Sequence, residues 1–120
     1  MIIAEFYADR NESVHYLHVT GHAGAAQYGH DTVCAAASIL VYALAASLQN
    51  TSQAIDNGEM PVIVMDEGNA KLVSRAKQTS GRYAADAIAY GVALNGFALL
   101  SEEYPDYVQV VEKDSIPTRD

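Results

Sequence analysis

His22 and Cys34 are a potential base and a potential nucleophile, twelve positions apart in the stretch Gly21 to Ser38, which reads GHAGAAQYGHDTVCAAAS. Cys34 is the only cysteine of the chain. A free thiol titrates near about 8.5 and only its thiolate attacks, so a reactive cysteine needs surroundings that favour the anion. With Asp31 or Thr32 as a helix N-cap, Cys34 falls in the first turn, where unpaired backbone N–H groups and the positive end of the helix dipole supply that preference. His22 is too far upstream to meet Cys34 along one element. A loop that closes on the helix start returns it, and an imidazolium beside the thiolate completes an ion-pair dyad. The N–H groups around Cys34 then suit the oxyanion of a tetrahedral intermediate.

A single cysteine in a helix is more commonly a small buried hydrophobe. Three features point the other way. The run from Gly21 to His30 exceeds the two to six residues usual between a strand and a helix. Gly21, Gly24 and Gly29 among small neighbours suit a substrate loop that acts as a lid and ends at His30. The cysteine also stands at the helix start, and Ser38, four residues on, shares its face. Ser38 either donates to the dyad or bonds its own i−4 carbonyl. One carboxylate does not easily serve both a helix cap and an imidazole, so Asp31 reads as the cap.

His22-Ala23, Gly29-x-Asp31-x-Val33-Cys34-Ala35 and Ser38 together resemble the signature of the ribosomal-processing cysteine proteases, the Prp family. The resemblance spans about 18 of the 120 residues. It implies a small bacterial cysteine endopeptidase that removes an N-terminal extension from a large-subunit ribosomal protein, acts as a homodimer and uses no cofactor or metal. On the matching positions His22 and Cys34 are the catalytic dyad, with Asp31 and Ser38 supporting. Thr32 stands where isoleucine is expected.

The bulk properties agree with such a protein. A chain of 120 residues, half of them apolar, can bury one modest core, so residues 1–113 read as one domain and 114–120 as a flexible tail. A net charge of −8 and a pI near 4.7 argue against binding to a nucleic-acid backbone and would suit a basic peptide. A lone cysteine and the lack of a leader pattern suggest a cytoplasmic protein.

The elements that must position the dyad follow from periodicity. Ile2 to Ala8 and Val14 to Thr20 read as strands around a polar hairpin loop, the second delivering His22 just past its end. His15 and His18 fall on opposite faces. Thr32 to about Asn50 reads as a helix, apolar on every side. Its apolar run, Val33 to Leu48, is shorter than the roughly 20 residues of a membrane span, so it reads as a core helix. Asn57-Gly58 signals a turn, and Pro61 to Met65 and Ala70 to Ser74 form a hairpin around Asp66-Glu67-Gly68-Asn69. Arg82 to about Glu103 is a second helix with Tyr83, Ala87, Tyr90, Leu94, Phe97 and Ser101 near one stripe. Gly91 and Gly96 weaken it unless they allow close packing on the first helix or on a second subunit, for which its tyrosines and glycines are suitable material. Tyr107 to Glu112 is a last strand. The order β-β-α-β-β-α-β predicts an α+β fold, a mostly antiparallel sheet with two helices.

Other constellations compete. Gly24-x4-Gly29 has the spacing of a phosphate loop without its Lys and Ser or Thr. His22, His30 and Cys34 offer zinc-type donors, but with no second cysteine and no assured geometry. Asp66-Glu67 and Glu102-Glu103 read as solvated surface. A non-enzymatic reading, an assembly factor that binds a basic ribosomal tail or another peptide, predicts normal function in Cys34→Ala.

Overall fold

Residues alternating along two antiparallel strands place Ile2, Ala4 and Phe6 of β1 (Ile2–Asp9) on the same sheet face as Leu17 and Val19 of β2 (Val14–Thr20), because Ala4 pairs with Val19 and Phe6 with Leu17. That face is the floor of the core. The computed structural model describes residues 1–21, 30–54 and 60–114, without the side chains of His30 and Asp31. The Asn57-Gly58 turn and the tail from residue 115 onward lie outside the described residues.

The remaining elements follow in the expected order: α1 (His30–Ala54), β3 (Val62–Asp66), β4 (Asn69–Arg75), α2 (Gly81–Glu103) and β5 (Val108–Glu112). The strands form one sheet in the order β3-β4-β2-β1-β5. Every pair is antiparallel except β1 with β5, where Ile2 pairs with Val108 and Phe6 with Glu112. Asp9 closes the first hairpin by accepting from the backbone N–H groups of Asn11 (2.8 Å) and Glu12 (3.2 Å).

Both helices are long and apolar enough to cross a membrane, by length and composition alone. Each instead turns a stripe toward the sheet. From α1 the core takes Val33, Ala37, Val41, Leu44, Ala45 and Leu48, at the spacing of a single helix face, while Ile39 and Tyr42 point outward. The expected all-round burial is therefore replaced by one buried face and an apolar exposed one. α1 also starts two residues before Thr32 and runs on to Ala54. Its polar last turn is held by hydroxyl back-bonds: Thr51 Oγ1 to the carbonyls of Ser47 (3.0 Å) and Leu48 (3.1 Å), and Ser52 Oγ to that of Gln49 (2.9 Å).

α2 begins at an N-cap, Ser80, whose hydroxyl accepts from the N–H of Tyr83 (3.1 Å). Its tyrosines are not interface material, because Tyr83 and Tyr90 are buried in the chain's own interior. The two glycines differ as well. A Cβ at Gly96 would stand 2.5 Å from Leu40 Cδ2 of α1, which explains that glycine by close helix packing, whereas a Cβ at Gly91 would meet nothing within 4 Å. Arg82 and Asp86, charged residues that their type would send to solvent, are fully buried beside Ser74 of β4, on the same helix face as Tyr90. Ser74 donates its hydroxyl to Asp86, and Arg82 Nε lies 3.7 Å from the same carboxylate. His15 and His18 do take opposite faces: His15 lies under α2 between Tyr83 and Tyr90, and His18 meets Asn69 and Glu5 on the outer face.

Candidate active site

In an α-helix, side chains four apart stand one above the other. On α1 this places Cys34, Ser38 and Tyr42 along one wall of a cleft of about 400 Å³. Ile2, Val19, Val41, Met65 and Ala70 give it an apolar lining, and the β3–β4 turn, Asp66 to Asn69, completes it. Cys34 is half-buried.

Gly21, directly after β2, lines the same cleft. Its φ of +91° is a left-handed conformation that glycine tolerates, and a Cβ there would collide with the carbonyl oxygen of Met1. Its N–H donates to the carbonyl of Gly68 (3.0 Å), itself a glycine at φ +71° in the β3–β4 turn. The chain thus leaves the sheet at the cleft, one residue before His22, clamped to the β3–β4 turn. His22, Gly24 and Gly29 lie outside the described residues, as do the side chains of His30 and Asp31.

One expectation changes. The helix starts at His30, so Asp31 is its second residue rather than its cap and Cys34 its fifth. The N–H of Cys34 then donates to the carbonyl of His30 in the helical pattern, and the free donors of the first turn are those of His30, Asp31 and Thr32. Because Cα–Cβ bonds tilt toward a helix N-terminus, the thiol still leans toward those donors. Sequence reasoning missed Tyr42, and it assigned Asp66 and Glu67 to solvated surface alone. They are exposed, and they also wall the cleft. The four-residue ladder that singled out Ser38 extends by one step to Tyr42 and could have found it. Among the described residues, no group of three or more His, Cys, Asp and Glu side chains is arranged to hold a metal ion.

A family model described as cysteine protease Prp matches residues 1–109. No curated protein matches the chain. Among solved structures, SMU.848 from Streptococcus mutans is similar at 27% identity over 93% of each chain, with a TM-score of 0.69. The essential ribosomal processing protease Prp from S. aureus, in complex with a covalently linked product peptide, is 23% identical over 94% of this chain and 100% of that one, with a TM-score of 0.68. The same S. aureus protease with a substrate peptide is 22% identical over the same shares, with a TM-score of 0.69.

Proposed function

The chain belongs to the Prp family of cysteine proteases, and from that premise we propose that it removes an N-terminal extension from a large-subunit ribosomal protein, with Cys34 as nucleophile and His22 as its base. The observation that carries the assignment is the half-buried Cys34 in a cleft whose rim includes Gly21, the residue that delivers His22. Cys34 Sγ attacks the scissile carbonyl carbon and its proton passes to His22. The amine leaves with that proton, which leaves a thioester on Cys34. Water then attacks the thioester, His22 takes the water's proton and returns it to the sulfur, and the acid product departs. The free N–H groups of His30, Asp31 and Thr32 receive the oxyanion in both steps. Ser38 lines the cleft one helical turn from the thiol, and Asp31 keeps the supporting role that the family resemblance implies.

The ribosomal target is supported by the likeness to the S. aureus protease, whose structures carry product and substrate peptides. With a ribosomal substrate, the enzyme would act in the cytoplasm. The enzyme works as a homodimer, with the exposed Ile88, Val92 and Leu99 on the outer face of α2 as the contact surface. Sedimentation of Val92→Glu as a monomer, against a wild-type dimer, tests that contact.

The activity is tested by mass spectrometry of a peptide that spans the extension and the mature start. Wild type is expected to make one cut, while folded Cys34→Ala and His22→Ala make none. Cleavage by either variant at more than about a hundredth of the wild-type rate would remove the dyad.

A further inference from the structure

Tyr42 is the third rung of the ladder that carries Cys34 and Ser38, and its side chain is 59% exposed at the cleft. A helix rises about 1.5 Å per residue, so the eight positions from Cys34 put Tyr42 about 12 Å along the cleft from the thiol. An extended peptide advances about 3.3 Å per residue. The side chain that meets Tyr42 is therefore three to four residues from the scissile bond.

The β3–β4 turn gives that position its chemistry. Met65 packs on the core, and Asp66 and Glu67 after it both line the cleft, Glu67 with the longer side chain. Glu67, at the turn itself, remains exposed on the cleft. Among the described residues that line the cleft there is no Lys or Arg. A phenol ring and a carboxylate that line one cleft attract the same guest, a cation on a long stem. The turn that carries Glu67 is also clamped, through Gly68, to Gly21, so the carboxylate sits on a fixed element rather than a free tip.

We propose that Tyr42 and Glu67 form a subsite that selects a lysine or arginine side chain three or four residues from the scissile bond. This rests on the peptidase reading above. The subsite reads one side chain by charge and ring face, and it leaves the neighbouring substrate positions to the apolar floor.

The test uses peptides across the junction between extension and mature chain, with lysine or its uncharged isostere norleucine placed at each of the four positions on either side of the cut. Binding to Cys34→Ala is read by fluorescence anisotropy, and kcat/KM is read with wild type. Lysine at a single position, three or four residues from the cut, is expected to bind about tenfold more tightly than norleucine, a factor in keeping with one cation–π contact and one exposed ion pair. Glu67→Gln and Tyr42→Ala should each lose most of that discrimination, and Tyr42→Phe should keep it. Thermal melts of all three variants verify folding. A flat series, a preference for norleucine, a discrimination that survives both substitutions, or no binding of any peptide would each overturn the subsite. Cleavage without lysine preference removes the subsite and leaves the peptidase. Lysine-selective binding to Cys34→Ala without cleavage by wild type removes the peptidase and upholds the subsite.

Discussion

At the scale of single residues, Gly21 carries the heaviest constraint outside the dyad. It combines a left-handed φ, a backbone contact with Met1 that leaves no room for a side chain, and the N–H that reaches Gly68. Gly21→Ala places a Cβ against a carbonyl and adds about 1 to 2 kcal/mol for the left-handed backbone alone. A urea melt is expected to show at least that loss, and peptide cleavage should fall more than tenfold even where the variant remains folded, because the segment that leads to His22 leaves the sheet from this residue. His15 makes a second prediction. Burial beside Tyr83 and Tyr90 pushes its imidazole below the usual histidine range, and the Asp86 carboxylate pulls weakly the other way. A base whose folded value is depressed takes its proton more readily when unfolded. Its contribution to stability is therefore intact above about pH 6.5 and is lost as pH falls from there through the depressed value. The Tm of wild type should drop between pH 7 and pH 5, and His15→Phe should flatten that slope.

At the scale of elements, the two glycines of α2 separate propensity from packing. Gly91 faces open space, so Gly91→Ala should stabilise by about 0.5 to 1 kcal/mol through helix propensity alone. Gly96→Ala adds the same propensity but drives a Cβ to 2.5 Å from Leu40 Cδ2, so α1 and α2 must part or Leu40 must leave its rotamer. Its urea midpoint should fall below that of Gly91→Ala, and below wild type. The pair also shows how far periodicity reads. The type and order of every described element were legible in apolar alternation and in Gly and Pro punctuation. The length of α1 was not, because its last turn is held by Thr51 and Ser52 hydroxyls in a stretch whose composition reads as loop. The start of α1 was read two residues late because Asp31 is a good cap by type, while the chain was already helical at His30.

At the scale of the whole molecule, α2 is joined to the sheet by a buried hydrogen bond from Ser74 to Asp86 as well as by hydrophobic contact. Asp86 accepts from Ser74 and Thr51 and stands beside Arg82, so one carboxylate ties α1, α2 and β4. Asp86→Ala would leave the Arg82 guanidinium buried without its counter-charge, at a cost of about 3 to 5 kcal/mol by denaturant titration. Replacing Arg82 by Met and Asp86 by Leu together should recover most of that loss. Neither the pair nor the cleft could be read along the chain. The sequence by itself determined the family, the helix that carries Cys34 and the strand that runs toward His22, and it offered the two residues proposed as nucleophile and base, because these rest on residue types at short separations and on the period of a single element. Only the tertiary structure decided that Gly68 clamps Gly21, that Asp66 and Glu67 line one cleft with Cys34 and Tyr42, and that Arg82 and Asp86 lie inside. Those facts depend on which ends of separate elements meet, and the period of one helix or strand shows which face is buried without showing what is packed against it.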